Sequence, residues 1–146
     1  MRRQVADWLA DAQRDLAIAR HLRSGGFYHA AVHYARLHVG KMLKAAYPIL
    51  RREEIPPGLD LGRLARGVGL SDMPDNVSAA LQHLAPLYGA TRYADAAGTD
   101  PGAAFGPTEA DRAITEAEEF GKWLTEMTEM FRSQASQPRY RLSCGE

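Results

Sequence analysis

The stretch VADWLADAQRDLAIARHLRSGGFYHAAVHYARLHVGKMLKAAYP, residues 5–48, decides the fold. Val5, Trp8, Leu9, Ala12, Leu16, Ala19 and Leu22 recur every three or four positions with charges between them, which is the spacing of one face of a helix. Ser24-Gly25-Gly26 stops that helix, because glycine takes up the left-handed cap conformation without a Cβ clash. A second stripe follows at Tyr28, Ala31, Val32, Ala35, Val39, Met42, Leu43 and Ala46. Tyr47-Pro48 is expected to close it, since proline disfavours helical geometry in the residue before it. A link this short makes the two helices an antiparallel hairpin.

The pattern continues outward. Residues 51–58 are charged and proline-rich and read as a loop. Leu61, Leu64, Ala65 and Val68 suggest a short helix. Ser71-Asp72-Met73-Pro74-Asp75 supplies the start of the next helix, carried by Val77, Ala80, Leu81, Leu84 and Leu87, and Pro86 is expected to kink or end it. Residues 93–107, rich in Gly, Ala, Asp and Pro, read as a long loop. Thr108-Glu109-Ala110-Asp111 is a helix start with acids set against the dipole. Ala110, Ala113, Ile114, Ala117, Phe120, Leu124, Met127 and Phe131 form the longest stripe. No segment alternates with period two for long, so no sheet is expected. The expected architecture is all-α, an up-down four-helix bundle with an additional short helix, over residues 1–132, followed by a tail at 133–146.

Length and composition fit one globular domain of 146 residues. The chain holds 18 basic and 18 acidic side chains, so it is neither a strongly basic nucleic-acid coat nor an acidic mimic. The balance is uneven along the chain: residues 1–56 carry a net +5 and residues 57–146 a net −5. Mutual neutralisation inside one bundle explains most of that. The functional reading is a basic groove for phosphates, with Arg36, Lys41 and Lys44 on the second helix as candidates. The start is too interrupted by charge for a signal peptide or membrane span, and the lone Cys144 has no internal disulfide partner, so a cytoplasmic protein is expected.

Motifs for chemistry are sparse. His29 and His33 have zinc-ligand spacing, but no Asp or Glu lies between Asp15 and Glu53 to complete or orient a site, so no metal is expected. His38 and His83 read as packing histidines. No phosphate-cradling glycine loop or nucleophile elbow occurs, and no cofactor is expected. Gly40 interrupts the second helix at a cost of up to about 1 kcal/mol relative to Ala. Close approach of another helix would account for it, and His29, His33, Arg36 and Gly40 together read as a homodimer seam.

Several segments occur in a telling order: Ala12-Gln13-Arg14-Asp15-Leu16-Ala17-Ile18-Ala19, then Ser24-Gly25-Gly26-Phe27-Tyr28-His29-Ala30-Ala31, Gly40-Lys41-Met42-Leu43-Lys44-Ala45, Gly58-Leu59-Asp60-Leu61, and Leu87-Tyr88-Gly89-Ala90-Thr91-Arg92-Tyr93-Ala94-Asp95. The chain resembles the HEPN domain family over nearly its whole length. The resemblance implies a compact helical bundle, commonly a homodimer, often partnered with a nucleotidyltransferase-like protein and sometimes part of a toxin–antitoxin pair. Many members are proposed to bind nucleotides or RNA, and a subset are metal-independent ribonucleases that set an Arg and a nearby His in the dimer cleft. This chain departs from the pattern: Arg36-Leu37-His38-Val39-Gly40 lacks the family's acid, Gly58-Leu59-Asp60-Leu61 lacks its His, and Ala94 replaces the Pro after Arg92-Tyr93. No histidine follows Arg92.

The reading favoured by these departures is a non-catalytic module for nucleotide or RNA phosphates, or for a nucleotidyltransferase partner. Arg92 would grip phosphate bidentately, Tyr93 would stack on a base, and Arg36, Lys41 and Lys44 would supply charge. The first alternative is a ribonuclease toxin using Arg14 and His21, which share a helical face, as cation and acid–base group. The second is a purely structural dimeric adaptor.

Overall fold

A computed structural model describes residues 2–55, 61–68, 73–87 and 98–134, with side chains described between residues 4 and 129. Among the described residues the chain forms α1 (Arg2–Ser24), α2 (Tyr28–Arg51), α3 (Leu61–Gly67), α4 (Asp75–Leu84), α5 (Pro101–Ala104) and α6 (Pro107–Gln134), with no strand. α1 and α2 form the expected hairpin. α2 is the hub: it packs on α1 and α6 most extensively and also touches α3 and α5, while α6 reaches α1 and α4.

The α1–α2 turn shows why the first helix stops where it does. Phe27 N donates to Leu22 O at 2.9 Å and Gly26 N to Arg23 O at 3.1 Å, with Gly26 at a φ of +83°. That is a Schellman cap, and it needs a left-handed residue at the position Gly26 holds. α6 begins one residue before the expected Thr108, with Pro107 in its first turn, and Gly106 N donates to Glu109 Oε1 at 2.6 Å. This is the reach-back half of a capping box.

Two expectations are corrected. α2 does not close at Tyr47-Pro48 but runs on to Arg51, with Pro48 inside its last turn. Pro48 lacks an N–H to give to Lys44 O, but this part of the helix is buried: Tyr47 packs under α3 at Gly67 and its hydroxyl donates to Glu53 Oε1 at 3.1 Å. Arg52 then ends the helix in the left-handed region, at a φ of 58°, its N–H on Pro48 O. The second correction is α5, which lies within the stretch read as loop. Pro101 presets its first turn, and Asp100 O accepts from Ala103 N and Ala104 N. α4 ends at Leu84, two residues before Pro86, as expected.

The core follows the stripes. Leu16, Val32, Val39, Leu43, Leu64, Leu84, Phe120 and Leu124 are buried in one cluster that draws on α1, α2, α3, α4 and α6. Between the long helices the contact is made largely by alanines, Ala12, Ala19, Ala31, Ala35, Ala110, Ala113 and Ala117, all fully buried. Small side chains bring helix axes close, which is why a polar residue inside this seam must be matched atom by atom.

Candidate functional site

The expected phosphate-binding cations of α2 can be followed one at a time. Arg36 turns toward α4, where its Nε and Nη2 donate to Ala85 O at 3.2 and 3.1 Å. A cation at the carbonyl end of a helix is favourably placed against the dipole, so Arg36 caps α4. Lys41 turns the other way, toward α1. Its ammonium lies 2.8 Å from Asp15 Oδ2 and 3.8 Å from Asp11 Oδ2. Asp15 is only 5% exposed, and its Oδ2 makes no aligned hydrogen bond, so the Lys41 charge is what balances it. Lys44 sits over the Trp8 ring, 4.8 Å from its centroid. Three cations that are close in sequence therefore serve three contacts within the chain, to α4, to the α1 acids and to an α1 aromatic. Arg92, Tyr93 and the 58–60 segment lie outside the described residues.

The candidates for acid–base chemistry are similarly placed. Arg14 is exposed and paired with Asp11, and His21 is exposed one turn from the end of α1. His83 on α4 is 2.5 Å from Glu116 Oε1 on α6, and Arg112 Nε is 3.3 Å from the other oxygen of the same carboxylate. His29 Nδ1 lies beside α5 at Gly102, and His33 meets Tyr34 edge-on. Among the described residues no group of three or more His, Cys, Asp or Glu converges as a metal would require. Gly40, read from the sequence as a seam residue, faces Leu61 of α3 within the same chain, and a Cβ there would meet Leu61 Cδ1 at an ordinary 3.8 Å.

His38 is the buried histidine of the bundle, 2% exposed. Its Nδ1 donates to Ala12 O at 2.6 Å, which fixes the proton on Nδ1. Burial holds the imidazole below its ordinary pKa, against the upward pull of the Ala12 carbonyl, Asp15 and Glu118, while Arg20 lowers it further. The folded value being the lower one, the unfolded chain takes up the proton first as pH drops. The contribution is therefore whole above about pH 6.5 and is lost as the pH falls from there toward and through the folded value. Urea midpoints between pH 7 and 5 should decline in the native chain and decline less in His38→Asn, whose amide can still donate to Ala12 O.

The opposite charges of the two chain halves meet across α1 and α6, where Arg20 pairs with Glu118, and Arg23 holds Asp111 through Nε at 2.6 Å and Nη2 at 3.1 Å. The Arg23 hydrogen bonds keep the Asp111 carboxyl below its ordinary value. These pairs are exposed and screened, so they set register more than stability.

One feature is missed by sequence reasoning altogether. Between α3 and α4 lies a half-open cleft of about 310 Å³. Ala65, Met73 and Leu81 supply its apolar surface, Ser78 and Gln82 its polar edge, and Arg66 a cation; among the described residues none that lines it is acidic. Arg66 is exposed and makes no ion pair among the described residues. No motif could have announced this cleft, because its parts belong to different helices.

The HEPN domain family model matches residues 5–127. The crystal structure of TT1696 from Thermus thermophilus is similar at a TM-score of 0.73 and 27% identity, covering 84% of this chain and 97% of that one. The crystal structure of ST0689, an archaeal HEPN homologue, is similar at a TM-score of 0.66 and 20% identity, covering 85% of this chain and 97% of that one. No curated protein sequence matches. Among the described residues no helix is long and apolar enough to cross a membrane.

Proposed function

The chain belongs to the HEPN domain family, and on that footing we propose that it is a non-catalytic module that binds a nucleotide or the phosphates of RNA, acting as a homodimer. What carries the reading is the state of its acid–base groups. RNA cleavage needs an imidazole that can exchange a proton at the phosphate beside a cation that stabilises the developing charge. His38 is buried with Nδ1 spent on Ala12 O, His83 is bound to Glu116, and Arg14, the cation paired with His21 in the alternative reading, is already held by Asp11. Binding asks less of the chain: an accessible cation and an apolar surface for a base.

The test is incubation of the purified protein with single-stranded and structured RNA, followed by titration with the same RNAs at low and raised salt. We expect no cleavage and a binding constant that falls as salt rises. Cleavage that disappears in Arg14→Ala and His21→Ala would replace this reading with the ribonuclease. Intact RNA, with no binding of RNA or of mononucleotides at low salt, would leave a structural adaptor or a nucleotidyltransferase partner. Light scattering gives the oligomeric state directly.

A further inference from the structure

We propose that the α3–α4 cleft is the nucleotide site, that it takes a single nucleoside monophosphate, and that Arg66 is its phosphate ligand. This rests on the binding reading above and gives it a place.

Three observations on the cleft agree. Its volume of about 310 Å³ is at the small end of ligand sites, which span roughly 300–1,000 Å³, and so fits one nucleotide rather than a run of RNA. Its charge has one sign among the described residues: Arg66 is present and no described carboxylate lines it. The cations of α2 differ in this respect, since Lys41 faces two acids and Lys44 an aromatic ring. Arg66 makes no ion pair with any described residue, so an incoming phosphate breaks none among them.

The third observation is the mix of chemistry that lines the cleft. Ala65, Met73 and Leu81 offer a face on which a base can lie, with the Met73 thioether a soft contact for an aromatic ring. On the polar edge, Gln82 Nε2 donates to Ser78 Oγ at 3.4 Å. That leaves the Gln82 carbonyl as an acceptor and the Ser78 hydroxyl as a donor, side by side, the pair that a ribose hydroxyl or the edge of a base requires. A cation on α3, an apolar surface and a donor–acceptor pair on α4 are the kinds of contact that the phosphate, the base face and the ribose hydroxyls or base edge of one small molecule require.

The experiment is calorimetric titration of the full-length protein with AMP, adenosine and inorganic phosphate, repeated with Arg66→Gln and Ser78→Phe. Arg66 is exposed, so Arg66→Gln should keep the native melting temperature, and Ser78→Phe should block the cleft by bulk. We expect AMP to bind the native chain more tightly than adenosine or phosphate does. Each variant should weaken AMP at least about tenfold, and Arg66→Gln should leave adenosine unchanged. AMP binding that survives both variants intact overturns the cleft while leaving the binding module standing. AMP bound no better than inorganic phosphate also overturns it, since the apolar face would then contribute nothing. Failure of AMP and of every RNA to bind overturns both readings together.

Discussion

Lys41→Met should lower the stability of the folded chain by about 3 kcal/mol, read as a shift of the urea midpoint at constant slope. Methionine keeps the aliphatic stem and removes only the charge. What remains is the Asp15 carboxylate, 5% exposed, with its Oδ2 lacking an aligned hydrogen bond and its counter-ion gone. Breaking one side of a buried pair costs roughly 3–5 kcal/mol, and the lower end applies because the Lys41 side chain is 23% exposed. For a chain of this size the melting temperature should fall by roughly 6–12 °C. The double variant Lys41→Met with Asp15→Leu should recover most of the loss, because a buried pair replaced by apolar groups of similar volume is often neutral. A lysine that existed to hold phosphate would behave differently: its loss would leave stability unchanged and weaken only binding. A melting curve that matches the native one would show that the Asp15 pair contributes nothing and would leave phosphate binding as the role of Lys41.

Gly121→Ala should destabilise by about 1–3 kcal/mol, although alanine is the better helix former by up to about 1 kcal/mol. A Cβ at Gly121 would stand 2.8 Å from His38 Nε2. The imidazole cannot simply swing aside, since its other nitrogen donates to Ala12 O and it is enclosed between α1 and α6. Gly40→Ala is the control. It lies in the same kind of helical position, but its Cβ would find Leu61 at ordinary contact distance, so this change should stabilise by up to about 1 kcal/mol. Opposite signs at two mid-helix glycines are the result to look for in thermal melts. If His38→Asn abolishes the penalty at Gly121, the clash is with the ring and not with the helix backbone.

Particular residues show how much can be read in advance. The two stripes around Gly25-Gly26 specify the hairpin, because apolar spacing and a left-handed cap are local properties. His38 reads in advance as a packing histidine and is buried in the core, whereas the Glu116 carboxylate that meets His83 lies 33 positions away and is not legible. Pro48 misleads because its local preference is outweighed by the burial of Tyr47 and of its own ring. Gly40 draws attention as an interruption of the second helix on the face of His29, His33 and Arg36, while Gly121, which lies against the His38 ring, has nothing beside it in the sequence to mark its role. The contacts that Arg36, Lys41 and Lys44 make within the chain are not legible in the sequence: the acids that meet Lys41, for example, are 26 and 30 positions away.

What the sequence by itself determined is the number, order and approximate boundaries of the long helices and the family pattern they carry, since apolar periodicity and capping act within a few residues of one another. What only the tertiary structure decided is which charges are spent and which are left. Asp15 becomes a buried anion only when α2 lies on α1, and Arg66 comes to share a cleft with Ser78 and Gln82 only when the fold sets α3 and α4 on either side of it. Electrostatics depends on distance through space and on access to water, and neither is written in the order of residues.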